Sequence, residues 1–387
     1  MNVLPLRVID VETMCLRQTG NEENSYAALS YCWGGDQLFK TTRANISSRI
    51  GGARLDGLPR TLLDAVQVCK QLQIRYLWVD ALCIIQDDET DKAREIAKMR
   101  MTFNRATLVI AASRARDANA GFLEDANIPS DGVVMLPAKF SETCRGEVGI
   151  VKVPLESSGH EPLNQRGWAY QEISLARRAL IYTDQGMVWQ CSAVFDRLAY
   201  DGMRIRSHPS HDLVVATQEF EPGPVQRDIW DQLVRIYTLR NLTFPDDRLE
   251  ALAGIAAMAA SMWNNRYFAG LWEQDMQSQL GWRVDNTALA NRNWKALEAP
   301  SWSWASVDGS VCDVVRSFYA ETPREARVIS CEVKLASRDN PFGRVVSGRL
   351  TIEGYTVEAR YAKQSWLENT RMDFDGRPLN VEDLDDT

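Results

Sequence analysis

The 387-residue sequence has no apolar run near the ~20 residues that a membrane-spanning helix needs. Its first residues soon reach charges at Arg7 and Asp10, so they lack the apolar centre of a secretory signal. We therefore expect no membrane partner and a cytoplasmic location.

The sequence also lacks an excess of positive charge. It has 44 Lys and Arg against 52 Asp and Glu, a net charge of −8, and no basic stripe. Residues 373–387 hold six carboxylates against one arginine, which predicts a mobile acidic tail over 366–387. A nucleic-acid partner is not expected, because such binding needs clustered Lys and Arg.

Histidine is scarce, and the cysteines are scattered. The eight cysteines include no C-x-x-C pair, and the three histidines are His160, His208 and His211. That spacing predicts no structural zinc and no metal site, and the cysteines are expected to be reduced thiols. A Cys–His pair built on Cys32 or Cys83 would make an acyl-transfer site, but buried, unreactive thiols are the favoured interpretation.

What the sequence does contain is an alternation of strand and helix patterns. Short apolar runs at 26–31, 76–80 and 107–112 predict buried strands. A first helical pattern follows Pro59. A second, separate one covers 87–105, where Ala93, Ile96, Met99 and Phe103 would form the buried face. Strands and helices that alternate with short links predict an α/β unit with a parallel sheet.

Further elements are predicted downstream. We expect strands at 133–136, 148–153, 179–182 and 187–191, helices at 171–178, 225–239 and 246–262, a loop at 195–225, and alternating strands over 328–359. The sequence is also rich in tryptophan, with 12 residues. Core packing is the favoured interpretation of these rings, and an aromatic-lined pocket is the alternative.

Several motifs occur in a fixed order along the chain. They are YAALSYCWG at 26–34, LWVDALCIIQDD at 77–88, PLNQRGWAYQE at 162–172, LTFPDDRL at 242–249, AGLW at 269–272 and PSWSWAS at 300–306. In order and spacing they resemble the fungal heterokaryon-incompatibility (HET) domain over residues 5–315. The sequence departs from that pattern at Ile85, at 101–103 and at 169–170.

The resemblance implies a fold class and a division of the chain. The fold would be α/β, a doubly wound, mostly parallel sheet similar to Toll/interleukin-receptor-type domains, elaborated by helices and a small C-terminal β element. Residues 1–315 would form the HET-like domain, 316–365 the β element packed on it, and 366–387 the acidic tail.

The resemblance also selects candidate site residues. The catalytic candidates are the carboxylates Asp80, Glu95 and Glu172, since a carboxylate stabilises the cation-like state of glycosidic cleavage. Each has a structural alternative: Asp80 as a turn cap, Glu95 as a surface ion pair with Arg94 or Lys98, and Glu172 as a buried partner of Arg166. The binding candidates are Tyr31, Trp33, Gly34, Cys83, Gln86, Arg166, Trp168 and Gln171. Tyr31, Trp33 and Trp168 are expected to form an aromatic wall.

Three functions remain open at this point. The first is a HET-type effector of nonself recognition and cell death that cleaves NAD, with NAD as substrate and no required cofactor. The second is an enzyme of fungal secondary metabolism acting on a small apolar molecule, since a fold does not fix a function. The third is a non-catalytic module that self-associates. The first two require a small-molecule ligand.

Overall fold

A computed structural model of the chain describes residues 2–36, 38–124, 133–139, 145–151, 161–184, 186–191, 224–284, 299–313, 326–354, 371–372 and 378–379. The three histidines, most of the predicted loop at 195–225 and nearly all of the predicted tail lie outside the described residues.

A mixed seven-stranded sheet forms the centre of the first core. Its strands are β1 (Arg7–Asp10), β2 (Cys15–Gln18), β3 (Tyr26–Ser30), β4 (Tyr76–Trp78), β5 (Leu108–Ala111), β6 (Arg178–Thr183) and β7 (Gly186–Cys191). They lie in the order β7-β6-β5-β3-β4-β1-β2. The four inner strands, β6, β5, β3 and β4, are parallel, and the outer pairings are antiparallel.

The α/β class expected from the sequence is confirmed, and the sheet is mixed. Only its inner strands are parallel, because an antiparallel hairpin closes one edge and β7 turns back along the other. The chain leaves β3 toward β4 and then crosses to β5 on the other side of β3. Ligands of open α/β sheets bind beside such a reversal, at the carboxyl ends of the strands.

The predicted helices occur in the expected order with shifted ends, and three short helices were not predicted. The described helices are α1 (Ile46–Ile50), α2 (Arg60–Gln71), α3 (Asp80–Cys83), α4 (Glu89–Arg105), α5 (Gly167–Ser174), α6 (Pro224–Thr238), α7 (Ala253–Trp263) and α8 (Met276–Gln279). Those not predicted are α1, α3 and α8. Helix α5 begins and ends earlier than the predicted 171–178. It ends at Ser174, and Arg178 already belongs to β6. The predicted helix at 246–262 is interrupted, because 3-10 turns at Pro245–Arg248 and Glu250–Leu252 precede α7.

Further strand pairs complete the described structure. They are Asn2–Val3 with Glu23–Asn24, Val133–Lys139 with Arg145–Val151, Tyr267–Phe268 with Leu271–Trp272, Trp282–Val284 with Val311–Asp313, Ala326–Leu335 with Val345–Gly354, and Arg371–Met372 with Pro378–Leu379. The pair Ala326–Leu335 and Val345–Gly354 packs Val333 and Leu335 against a second core. The domain boundaries at 315 and 365 stay a prediction.

The second core is rich in aromatic rings. Trp230, Trp263 and Trp272 are buried there, and the ring centres of Trp263 and Trp272 are 5.1 Å apart, edge to face. Most of these rings are therefore packing, as composition favoured. Among the described residues, no helix is long and apolar enough to cross a membrane.

The buried face of α4 differs from the predicted one. Ala93 is exposed, whereas Asp91 and Glu95 are buried together with Met99 and Phe103. The helix starts where Asp88 accepts hydrogen bonds from the amides of Thr90 and Asp91. Its face is rotated because Asp91 forms a buried ion pair with Arg7 of β1. An apolar count cannot detect that pair.

The Arg7–Asp91 pair connects β1, the strand next to the sheet edge, with the segment between α3 and α4. Arg7 is 4% exposed and donates through Nε to the backbone oxygen of Cys83 at 2.6 Å. The Asp91 carboxylate also accepts the amide of Ile85 at 2.9 Å. Removing Arg7 would leave the buried Asp91 charge with Arg94 as its ion-pair partner, and that side chain is exposed.

We therefore expect Arg7→Ala to lower the free energy of unfolding by about 3–5 kcal/mol. The matched control is Arg54→Ala, which breaks an exposed pair with Asp56 and should cost less than about 1 kcal/mol. Urea unfolding followed by circular dichroism measures both. Equal losses in the two variants would contradict the importance given to the buried pair.

Candidate functional site

The three motif segments meet beyond the carboxyl ends of β3 and β4. Ser30 ends β3 and is followed by Tyr31 to Trp33, while Asp80 comes two residues after β4. Helix α5 brings Glu172, and Arg166 is the residue directly before this helix. We call Ser30, Tyr31, Trp33, Asp80, Arg166 and Glu172 the Arg166 cluster.

Glu172 is the most deeply buried carboxylate of the Arg166 cluster. It is 3% exposed and accepts a hydrogen bond from the Ser30 hydroxyl at 2.5 Å. Burial, with the nearby charge of Asp80, raises the pKa of Glu172 from 4.5 to about 7, although Arg166 and Ser30 act in the other direction. Glu172 is therefore close to half ionised at neutral pH.

Arg166 connects the motif segments. Its guanidinium donates to the backbone oxygen of Tyr31. Its positive charge also acts on both Asp80 and Glu172 and lowers the pKa of each against the effect of burial. One cation thus acts on two carboxyl groups, and burial raises the pKa of both against its charge.

Asp80 occupies the more open side of the cluster. Its Oδ2 accepts the Trp33 indole N–H at 2.9 Å, and its Oδ1 accepts the amide of Ala81 at 2.7 Å. Asp80 and Trp33 are both half-buried. Asp80 is raised in pKa by burial, against the charge of Arg166. Asp80 is thus the first residue of α3 and a member of the Arg166 cluster, and its role there stays a prediction.

Gly34 allows the loop after β3 to turn close to another segment. Its φ is +78°, and a Cβ there would overlap Cβ of Asp117. Gly35 also has a positive φ, +122°, but nothing lies within 4 Å of a Cβ added there. The first glycine is therefore needed for space as well as for backbone conformation, which makes it a structural part of the site.

Two other predicted binding residues, Gln86 and Gln171, bind backbone groups with their side chains. The Gln86 amide donates to the backbone oxygens of Asp80 and Ile84, at 3.0 and 3.2 Å. Gln171 accepts the amide of Gly254 at 2.5 Å, at the start of α7. These two side chains hold the surrounding backbone in place.

The expected aromatic wall is divided between two places. Tyr31 and Trp33 lie beside Asp80, whereas the Trp168 indole N–H donates to Asp247 at 3.2 Å. Trp168 therefore ties α5 to the 3-10 turn at Pro245–Arg248 and packs between the two cores.

Glu95 in α4 lies close enough to Cys83, the last residue of α3, for its charge to act on the thiol. Glu95 is 3% exposed, and its carboxylate lies 3.5 Å from Arg94 Nε and 3.8 Å from Lys98 Nζ. Arg94 and Lys98 are the partners that the ion-pair interpretation predicted, but the carboxylate is buried and not at the surface. Burial raises the pKa of the Cys83 thiol to about 12, and burial also raises the pKa of Cys32. Of the three predicted catalytic carboxylates, Asp80 and Glu172 therefore belong to the Arg166 cluster, and Glu95 has other partners.

The downstream motif positions α5. The Gly167 amide donates to the backbone oxygen of Asn241 at 2.8 Å, and the Asn241 amide donates back to Gln165 at 2.6 Å. A Cβ on Gly167 would meet the Leu242 side chain. The segment around 241–248 thus fixes the residue that follows Arg166.

Sequence reasoning did not identify two polar groups near these strand ends. Ser30 is inside the first motif, and its place at the end of a buried strand was the available signal. Glu161 is buried at the ends of β5 and β6, where it accepts the amide of Asp184 at 3.4 Å. Burial raises its pKa to about 7. No motif residue marks Glu161, which precedes Pro162.

A metal centre finds no support in the described part of the chain. No group of three His, Cys, Asp or Glu side chains there can hold a metal ion. The seven described cysteines are free thiols.

In a comparison with known proteins, one family model matches part of the chain. Residues 26–172 match the family model described as heterokaryon incompatibility protein (HET). Heterokaryon incompatibility protein 6, OR allele, of Neurospora crassa is 29% identical over 96 residues. That match covers 22% of this chain and 14% of the relative, about a seventh of its length. No solved structure matches. Both matches agree with the resemblance that the motifs carry over this part of the chain.

We expect Gly34→Ala to destabilise the fold more than Gly35→Ala does. Both variants carry backbone strain from a positive φ, but only the first adds overlap with Asp117. The difference in free energy of unfolding should be about 1–3 kcal/mol. Denaturant unfolding of the two variants checks it, and equal values would show that Asp117 moves aside without cost.

Proposed function

We propose that this chain acts in heterokaryon incompatibility, as a cytoplasmic effector that responds to nonself by causing cell death. The support is the HET match over residues 26–172 and the similarity to the Neurospora protein. The proposal includes a likeness of the parallel inner strands to Toll/interleukin-receptor-type domains.

The proposed reaction is hydrolysis of NAD at the bond between nicotinamide and ribose. The C–N bond breaks, and its electron pair leaves with nicotinamide. Water adds to the ribose carbon, and a carboxylate accepts the proton of that water. The products are nicotinamide, ADP-ribose and a proton. The cation-like transition state is stabilised by negative charge placed next to it.

The observation that carries the proposal is the pairing of Glu172 with Asp80 around Arg166. Glu172, with a pKa of about 7, suits the transfer of a proton at neutral pH. Asp80, on the more open side, suits stabilisation of the ribose cation. Substrate entry requires the Trp33–Asp80 hydrogen bond to open.

A non-catalytic, self-associating module is the second candidate. The specific observation in its favour is that the cluster residues bind one another, through Ser30–Glu172, Arg166–Tyr31 and Trp33–Asp80. Contacts of this kind also serve to fix a scaffold. An enzyme of secondary metabolism with a small apolar substrate becomes the better proposal if the folded protein is a monomer that leaves NAD intact.

The test is incubation of the purified protein with NAD and measurement of nicotinamide by chromatography. Wild type should release nicotinamide, and both Glu172→Gln and Asp80→Asn should slow release at least about 100-fold. Glu161→Gln is the matched control, because Glu161 is another buried carboxyl with a pKa of about 7. Its rate should stay near wild type.

The pH profile adds a second criterion. Glu172 must be ionised to accept a proton, so the rate should rise with pH and reach half its maximum near pH 7. A rate that falls across this range would contradict Glu172 as the base. No release by folded wild type would reject NAD hydrolysis, and equal loss in Glu161→Gln would assign the effect to folding.

A further inference from the structure

Arg240 is an arginine whose guanidinium has no carboxylate partner among the described residues. It follows the end of α6 at Thr238 by two residues, and it is half-buried. Its Nη1 atom is buried and makes no hydrogen bond. The guanidinium instead lies over the ring of Tyr170 in α5, with Cζ 4.7 Å from the ring centre. Stacking on a ring holds the guanidinium in place but supplies no counter-ion.

Two other buried arginines in the described part of the chain do have carboxylate partners. Arg7 pairs with Asp91, and Arg248 lies 3.3 Å from Asp308. Buried charges in proteins are normally paired in this way, because the removal of a charge from water is costly. Arg240 is the exception among these three arginines.

The charge of Arg240 is not balanced by its surroundings. Burial lowers its pKa to about 10, and the groups that act in the other direction are the hydroxyls of Tyr170 and Tyr237. A tyrosine hydroxyl is neutral at pH 7, so neither group supplies a negative charge there. The guanidinium is therefore protonated at neutral pH, without a described carboxylate beside it.

The position of Arg240 limits the size of a ligand. Tyr170 and Tyr237 are buried, and their ring centres are 6.0 Å apart, so packing fixes one side of Arg240. The flanking residues Leu239 and Asn241 are exposed. An anion would approach from the surface and meet only the part of the side chain that reaches solvent. Such access suits a small molecule.

A single guanidinium also favours one type of anion. Its planar N–H groups match the two oxygens of a carboxylate, which accept parallel hydrogen bonds. A carboxylate carries the one negative charge that one cation neutralises. A phosphate carries up to about two charges at pH 7, and no Lys or Arg of the described residues acts on Arg240 as a second cation.

We propose that Arg240 binds the carboxylate of a small organic acid, which supplies the counter-ion that the described residues do not provide. The ring of Tyr170 holds the guanidinium in place for that ligand. The proposal does not depend on NAD hydrolysis, since Arg240 is not part of the Arg166 cluster. It assigns a ligand class to a residue outside the sequence motifs.

Nitrogen-15 NMR of labelled arginine in the full chain tests the proposal at the side chain itself. Sodium acetate replaces sodium chloride at constant ionic strength and pH 7. The Arg240 Nε–H signal should shift and saturate, with half of the change at or below about 10 mM acetate. Sodium phosphate should need a concentration at least about tenfold higher. No saturable shift in acetate would overturn the proposal, and phosphate that binds as tightly as acetate would overturn the choice of a carboxylate.

Variants then assign the signal and the site. Arg240→Lys keeps the positive charge but lacks the planar pair of donors, and Arg240→Met removes the charge. Both should lose the NMR signal that shifts. Acetate should raise the unfolding temperature of wild type, raise that of Arg240→Lys less, and leave that of Arg240→Met unchanged.

Arg235→Met is the matched control, because Arg235 is an exposed arginine on α6. It should keep the wild-type response to acetate. A full response to acetate in Arg240→Lys would overturn the proposal even if Arg240→Met does not fold. So would the loss of the response in Arg235→Met alone.

Discussion

The Arg166 guanidinium is the contact on which the arrangement of the candidate site depends. It binds the backbone of the segment after β3, and its charge acts on the carboxylates that follow β4 and lie in α5. Burial and the like charge of the other carboxylate both raise the pKa of Glu172, and one cation does not offset the two effects. The near-neutral pKa of Glu172 follows first from its burial, and the negative charge of Asp80 adds to that effect against the charge of Arg166.

Much of the fold was predictable from the sequence, since buried parallel strands are short apolar runs. Those runs located β3, β4 and β5. The strand Arg7–Asp10 was missed because its first and last residues are charged, and Arg7 is buried only through Asp91, 84 positions away. The same distant pair rotated the buried face of α4. Periodicity records apolar residues and cannot identify a buried ion pair that forms across the fold.

The candidate site was predictable where a motif residue ends a strand. Asp80, Tyr31 and Trp33 come together because the carboxyl ends of neighbouring parallel strands share one edge. Gln86 and Gln171 were predicted as binding residues, and in the structure their amides bind the backbone of nearby segments. A motif indicates which residue types matter. The partners of each side chain depend on the packing of the folded chain. Glu161 shows the converse, because a buried carboxyl can occur without a motif signal.

The central claim is that Asp80, Arg166 and Glu172 form one electrostatically coupled set. Carbon-13 NMR of labelled glutamate carboxyls tests it by following Glu172 against pH in a Glu161→Gln background. The pKa of Glu172 should be about 7, and it should fall when Asp80→Asn removes the neighbouring negative charge. A pKa near the ordinary 4.5, or one that Asp80→Asn leaves unchanged, would contradict the account.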